Sequence, residues 1–427
     1  MIPKGLKKKL NANALYLAVM ISFIAAALAF SFLLSKYYSF TEINNYKAYQ
    51  RLSDNTLSAV NIIMQKADFI PFNIEKTVPL FDDSLSNVRV LKKQWGVYQV
   101  ACSSANWNQI SVQKIAMYGQ VSSGKNVTGL YLADHGYYLA VAGDTYLSGR
   151  VFLPKLGVRK AYIDGKSFKY DKIVDGSILN SKGQLPSLTA DLKEYIKKTL
   201  FKSNNAVDSL VGQKVLNEGK LQNSFFNKTL RIYSGESINL TNTEIEGNII
   251  IYSENEITIS NSCHLENIIC VAPTIIVASG FKGKIQLFAT DSIIIEKNTT
   301  LEYPSSLVSA GIEKSYSRIQ IAEGSKIEGT VMAYADITAS GNVTVKLDKG
   351  SEIYGTVYCA GKMEHLGKVY GSLYCDYFFL QTNQGYYENH LLDAWVDPIA
   401  LEPKFSMGTI FNADSLKLIN NIISWLN

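Results

Sequence analysis

The hydrophobic pattern repeats most clearly between Lys326 and Asp376, where three segments are nearly the same. They are KIEGTVMAYA, EIYGTVYCAG and KVYGSLYCDY. In each segment, alternating residues are interrupted by a Gly that is followed by Thr or Ser. Period-2 alternation that recurs along a chain predicts a solenoid of strands, in which each coil buries its apolar face against the next. The predicted fold class is therefore mainly β.

Related segments extend this solenoid along the chain. From Leu230 onward, runs such as EIEGNIIIYS, HLENIICVA and KGKIQLFA continue the strand pattern. An alignment that starts at Asn248 gives steps of 16 to 26 residues, one coil per step, at Asn267, Lys284, Ser306, Thr330, Thr356 and Ser372. The main β-helix is predicted at 229–382. Similar phrases around Gly149 and Gly165 predict the first coils at 143–182.

The N-terminal segment has a different pattern. No charged residue occurs from Asn11 to Ser35, and this run is long enough for a helix that crosses a bilayer, predicted at 11–35. Four lysines lie in the stub at 1–10 and only Lys36 follows closely, which predicts a cytoplasmic N-terminus and an extracytoplasmic bulk at a bacterial inner membrane. The alternative is a cleaved signal peptide, although this apolar run is longer than a usual signal-peptide core.

Four other segments complete the predicted organisation. Residues 36–70 have apolar positions at helical spacing, which predicts a helical stalk. Short alternating runs at 71–142 predict a small β-rich adaptor of antiparallel strands. Residues 183–228 predict a helical insertion. The C-terminal segment at 383–427 is expected to end in a capping helix that begins near Asp414.

Composition and charge narrow the function. The chain has 427 residues, 26 of them Tyr and 29 Gly against 9 Pro, which favours β structure with many turns. The net charge is +5, but the sequence has no cluster of basic residues beyond the N-terminus, so no nucleic-acid partner is predicted. The five cysteines and four histidines are scattered, and no phosphate-binding loop is present. We therefore predict no cofactor and no metal.

Three cysteines fall at equivalent positions of the predicted coils. In the alignment above, Cys270, Cys359 and Cys375 share one inward-facing column. Neighbouring coils lie about 4.8 Å apart, which brings Cys359 within reach of a disulfide to Cys375. The alternative is that they are small buried residues that fill a narrow core, as free cysteines commonly do.

The predicted outer face of the same coils carries four tyrosines. Tyr358 and Tyr374 are expected to stack outward, and Tyr354 and Tyr370 form a parallel column. Such a surface would bind sugar rings or a protein strand. The alternatives are an aromatic ladder that stabilises the coils, or cover by the segment 386–411.

Catalysis has little support in the pattern of acidic residues. Polysaccharide lyases and hydrolases with a β-helix need clustered carboxylates. Glu246 and Glu328 occupy equivalent places in their coils, but Tyr354 and Tyr370 replace them later, so no catalytic pair is evident. We therefore predict a protein that is not an enzyme, with a polysaccharide-binding or polysaccharide-cleaving protein as the alternative.

The segments IEGTVMAYADI, IYGTVYCAGKM and VYGSLYC resemble the coils of bactofilins over about residues 320–380. That resemblance implies a right-handed parallel β-helix. The layout of a Lys-bearing N-terminus, one spanning helix, a stalk and an outer β domain is similar to accessory proteins of type IV pilus and type II secretion systems. Together these resemblances imply a membrane-anchored scaffold in an envelope, secretion or pilus-like assembly, whose partners are envelope proteins or further copies of itself.

Overall fold

The computed structural model describes most of the chain in two compact units. The described residues are 12–65, 70–80, 87–122, 127–202, 208–336, 342–402, 405–412 and 418–426. The first unit comprises the described residues within 1–59, 76–90 and 103–113, and the second comprises those within 60–75, 91–102 and 114–427. The protein is mainly β, with one long apolar helix near its N-terminus.

Helix α1 is a single helix of 54 residues, Ala12–Gln65. It contains no Gly or Pro, so nothing in its backbone interrupts the hydrogen-bonding pattern. The predicted membrane segment and the predicted stalk are therefore parts of one helix, without a break between them. Helix α1 is long and apolar enough to cross a membrane. The other helical elements are short: α2 at Ala190–Tyr195, a π-helical turn at Ile196–Leu200 and a 3-10 helix at Gln213–Glu218.

Thirty strands make up the β structure of the described residues. In the N-terminal part of the chain they are β1 Lys76–Pro79, β2 Asn87–Trp95, β3 Tyr98–Trp107, β4 Ile110–Ser122, β5 Thr128–Leu132, β6 Leu139–Ala142, β7 Tyr146–Leu153, β8 Val158–Lys160, β9 Tyr162–Ile163, β10 Lys166–Ser167 and β11 Asp175–Asn180. The central strands are β12 Ser209–Gly212, β13 Lys220–Asn223, β14 Leu230–Ser234, β15 Ile238–Leu240, β16 Glu244–Gly247, β17 Ile249–Ser253, β18 Glu256–Ile259, β19 His264–Val277, β20 Lys282–Ile295 and β21 Thr300–Gly311. The last are β22 Ser317–Ile321, β23 Lys326–Ala335, β24 Val343–Leu347, β25 Glu352–His365, β26 Lys368–Thr382, β27 Gly385–Glu388, β28 His390–Leu392, β29 Trp395–Val396 and β30 Leu418–Leu426.

The C-terminal segment is a strand, so the predicted capping helix is wrong. Strand β30 pairs antiparallel with β4, with Ile422 opposite Tyr118 and Leu426 opposite Ile115. The pairing shifts register between Ile422 and Ser424. A bulge of this kind lets a strand carry adjacent apolar residues, which in the sequence imitate helical spacing. The predicted helix start at Asp414 lies outside the described residues.

Most of the other strands form a parallel stack, which we call the coil stack. Strand β21 pairs with β23, β23 with β25 and β25 with β26, all in parallel. Each strand pairs with the equivalent strand of the next coil, so Thr330 lies opposite Thr356 and Thr356 lies opposite Ser372. Most of the inward side chains are fully buried and aliphatic, as at Ile327 and Ile353. The stack is therefore held together by burial of one apolar stripe per coil.

The coil stack does not follow the order of the sequence. Strand β5 pairs with β26 and β7 pairs with β5, so strands from early in the chain join the stack beside its last long strand. Leu130, for example, lies opposite Leu373. The phrase around Gly149 is a strand of the stack, β7, but the phrase around Gly165 is the turn of the antiparallel hairpin β9–β10. The predicted first coils at 143–182 are thus only partly coils.

Two other predicted segments also differ from the structure. The predicted adaptor at 71–142 includes β5, which belongs to the coil stack. The predicted helical insertion at 183–228 is helical only in part, because β12 and β13 pair in parallel with β14 and β16. Both differences have one cause: short strands in irregular coils carry too few alternating residues to identify from their pattern alone.

The Gly in each repeated segment has a steric role. Gly329, Gly355 and Gly371 lie opposite one another and have φ values of 147°, 138° and 149°. A Cβ atom on Gly355 would lie 2.0 Å from the carbonyl oxygen of Gly329, and one on Gly371 would lie 1.8 Å from that of Gly355. Only Gly combines this backbone conformation with so close an approach of the next coil.

Candidate functional site

The four predicted surface tyrosines do lie on two columns of the coil stack. Tyr354 is opposite Tyr370, and Tyr358 is opposite Tyr374. The rings of Tyr354 and Tyr370 are stacked and half-buried, with centroids 4.7 Å apart. The ammonium of Lys326 lies 4.7 Å from the centroid of the Tyr354 ring. This pair forms a short aromatic ladder with a cation at its edge.

The second pair is covered by other parts of the chain. Tyr358 and Tyr374 are only 6% and 4% exposed. The ring of Phe411 packs against both, with centroid distances of 5.9 and 4.9 Å. Tyr131 stacks on Tyr374, and the Tyr358 hydroxyl donates to the carbonyl of Pro186 at 3.2 Å. Burial raises the pKa of Tyr374 to about 12. The expectation of an exposed surface therefore fails for these two residues, because distant segments fold over them.

The paired cysteines are buried free thiols. Cys359 lies opposite Cys375 in the interior of the coil stack, and neither forms a disulfide. Burial raises the pKa of both thiols, so they stay protonated near neutral pH. The alignment placed Cys270 in the same column, and this is wrong: Cys270 pairs with Leu287, which pairs with Leu307, two residues away from that column. The register shifts between Gly283 and Gln286, so Gln286 lies opposite Ser306 where the alignment had put Lys284.

Charged side chains on the outside of the coil stack form ion pairs across neighbouring coils. Lys284 pairs with Glu266 at 2.8 Å, and Lys220 pairs with Glu244 at 2.7 Å. Glu246 accepts a hydrogen bond from Gln222. Among the residues that the structure describes, no group of three or more His, Cys, Asp or Glu side chains is arranged to hold a metal ion.

Helix α1 exposes large apolar side chains well beyond the length of one bilayer crossing. Phe23 and Phe32 are 73% and 63% exposed within the apolar run. After Lys36, exposure continues at Tyr37, Tyr38, Phe40, Ile43, Tyr46 and Tyr49, all more than half exposed. Successive helical residues rotate by about 100°, so these six side chains surround the whole helix.

A cavity of about 380 Å³ lies within the second unit, and we call it the Trp95 cavity. Strands β2 and β3, the helical segment 190–200, and strands β14 and β17 contribute to its walls. The hairpin that carries Trp95 is fixed to the coil stack by Gln286, whose amide donates to the Trp95 carbonyl at 3.1 Å and accepts from the backbone N–H of Val97 at 2.9 Å.

The Trp95 cavity also contains a buried ion pair. The side chain of Arg231 is fully buried and its Nε donates to Asp208 at 2.8 Å. Its other nitrogens donate to backbone carbonyls at the end of the helical segment, those of Thr199, Leu200 and Lys202. Arg231 therefore fastens this segment over the coil stack. The sequence alone does not predict this site; the one signal for it is an Arg in the otherwise uncharged strand LRIYS.

Comparison with known proteins does not assign this chain to a family. No protein-family model matches the chain, and no curated protein matches it either. The competence-associated pilin ComZ from Thermus thermophilus, a solved structure, is 11% identical; the match covers 91% of this chain and 96% of that chain, with a TM-score of 0.24. A TM-score of this size establishes neither a shared fold nor a shared function.

Proposed function

We propose that the protein is a non-catalytic, membrane-anchored scaffold or interaction component of a bacterial envelope assembly, of the secretion or pilus-like kind. The observation that carries this proposal is the apolar surface of helix α1. From Leu15 to Tyr49 its exposed apolar side chains extend over about 52 Å at about 1.5 Å per residue. A bilayer core is about 30 Å thick and covers about 20 residues. The apolar side chains that extend beyond the bilayer core would be exposed to water unless protein partners cover them.

The position of the aromatic residues supports the same assignment. Tyr16 and Tyr37 lie 21 residues apart, which in a helix is about 32 Å. Tyrosines prefer the two interfaces of a bilayer, so this spacing supports a spanning segment between Tyr16 and Tyr37. The apolar turns from Tyr38 to Tyr49 then lie outside the bilayer. From the lysines at the N-terminus we infer that this end lies in the cytoplasm and the coil stack outside it.

The scaffold role also rests on the coil stack. We take the stack to be a right-handed β-helix like that of bactofilins, because its strands pair in parallel with strands one coil further on. Such a fold offers long, rigid outer faces. The second unit would thus offer a fixed binding surface, while helix α1 joins the assembly.

Site-specific photo-crosslinking in the native host tests the proposal. A photoreactive phenylalanine analogue at Phe40 or Ile43 should give crosslinks to a second copy or to an envelope protein, identified by mass spectrometry. The matched control is Tyr162, which is 72% exposed in the second unit. The proposal is wrong if positions 40 and 43 crosslink only to lipid, or give no more protein adducts than position 162.

A further inference from the structure

Strand β30 lies at an open edge of its sheet. Among the strands that the structure describes, only β4 pairs with it. Its nine residues, LINNIISWL, include no charged residue, Pro or Gly. Ile419 and Trp425 are 58% and 47% exposed. Proteins usually protect an edge strand with charged residues or Pro, and the edge strand β1 contains both Lys76 and Pro79. Strand β30 has neither, so its composition suits it to pair with a further strand.

The backbone hydrogen bonds of β4 indicate which residues of β30 face the open edge. Gln120 of β4 uses both its N–H and its C=O in hydrogen bonds with Met407, each 2.8 Å long. Both groups of a residue point to the same side of an antiparallel strand, so Gln120 has no backbone hydrogen bond to Asn420, the residue opposite it in β30. The N–H and C=O of Asn420 therefore point away from β4. Because the direction alternates along a strand, those of Leu418 and Ile422 point the same way.

The open edge of β30 is complementary to itself. When two copies of β30 run antiparallel with their Asn420 residues opposite each other, Leu418 of each copy lies opposite Ile422 of the other. Every residue that faces the edge then meets one that also faces it, which allows about six backbone hydrogen bonds. The strand carries no charge, so two copies meet without repulsion, whereas a charged strand would find no opposite charge along β30. The register shift after Ile422 limits this pairing to Leu418–Ile422.

We propose that the protein forms a two-fold dimer in which β30 pairs antiparallel with β30 of a second copy, centred on Asn420. The same surface of both copies forms the interface, as two-fold symmetry requires. The exposed side chain of Ile419 would lie beside Asn421 of the second copy and lose contact with water. The proposal concerns the second unit alone and does not depend on the role of helix α1.

Cysteine crosslinking of the full-length, detergent-solubilised protein tests the register. The two Asn420 Cα atoms would lie about 5.5 Å apart, so Asn420→Cys should give a disulfide-linked dimer on mild oxidation. The two Asn421 residues would lie about 7–8 Å apart, so Asn421→Cys should give about tenfold less dimer. Mixing Ile419→Cys with Asn421→Cys should restore the dimer, because these positions face each other at about 4.5 Å. The wild-type protein, with its five cysteines, is the blank. Equal yields at positions 420 and 421, or no dimer from Asn420→Cys and from the mixture, would overturn the proposal.

A charge at the edge of β30 gives a second test. Ile419→Lys would bring two ammonium groups within about 7–8 Å of each other in the dimer, so it should lower crosslinking through Asn420→Cys about tenfold. The matched control is Ile178→Lys, at a side chain that is 52% exposed in β11, and it should leave crosslinking unchanged. Both variants are compared at wild-type thermal midpoints. Undiminished crosslinking in Ile419→Lys, or an equal loss in Ile178→Lys, would show that the copies do not meet at β30.

Discussion

Replacing Gly355 by Ala tests the steric account of the repeated Gly. The substitution adds one Cβ atom 2.0 Å from the Gly329 carbonyl oxygen, where contacts below 3.0 Å essentially never occur. Relief of the overlap requires neighbouring coils to separate by about 1 Å from a spacing of about 4.8 Å. The same residue must also keep a φ of 138°, which is strained for any side chain.

These two effects set the expected magnitude. Overpacking of a tight interior costs about 1–3 kcal/mol, and a residue held in a sparsely populated backbone region costs about 1–3 kcal/mol. We therefore expect the free energy of unfolding to fall by about 2–6 kcal/mol, and the thermal midpoint to fall by on the order of 10 °C.

Two other glycines provide matched controls. Gly157 has a φ of 72° with no atom within 4 Å of the position that a Cβ would occupy, so Gly157→Ala introduces strain without a clash. Gly385 has neither a positive φ nor a close neighbour, and Gly385→Ala should be close to neutral. Thermal unfolding of the detergent-solubilised protein, followed by circular dichroism, should rank the three variants in that order. A Gly355→Ala midpoint at or above that of Gly157→Ala would refute the clash argument.

Three further predictions concern single side chains. Phe411→Ala should lower the free energy of unfolding by about 3–5 kcal/mol in a urea titration, because it removes a ring only 5% exposed; a loss below about 1 kcal/mol would contradict this. Arg231→Met should cost about 3–5 kcal/mol by leaving Asp208 buried without its partner, while the surface change Lys282→Met should cost under about 1 kcal/mol. Burial raises the pKa of Cys102 to about 11, so its alkylation by iodoacetamide, mapped by mass spectrometry, should accelerate up to about pH 11. The free energy of unfolding should fall between about pH 9 and 11, because the Cys102 thiol ionises at lower pH in the unfolded chain than in the folded one. An alkylation rate that levels off near pH 9 would contradict the raised pKa of Cys102.

The sequence predicted the local geometry of the coils because alternation determines which side of a strand each residue occupies. Cys359 and Cys375 therefore face inward and lie opposite each other, as expected, and Tyr354 stacks on Tyr370. Alternation says nothing about what covers the outer face. The burial of Tyr374 depends on Phe411 and on Tyr131, more than 240 residues earlier in the chain, and no local pattern carries that information.

The failures at the ends of the coil stack have a related cause. The segment at Leu418–Leu426 has apolar residues at helical spacing, but its pairing with β4 overrides that local preference. The Trp95 cavity is assembled from short segments spread between Asn73 and Ile250. Its residues became a candidate site only once the fold brought them together.

The place of β5 in the coil stack has a consequence for the making of the protein. Leu130 pairs with Leu373, which is synthesised 243 residues later. At about 5–20 residues per second, a growing chain exposes the edge of β5 for roughly 12–50 s before its partner exists. Unpaired strand edges invite aggregation and proteolysis. Cells that produce this protein therefore need to protect residues 128–153 during biosynthesis, and truncation before residue 368 would leave that edge open permanently.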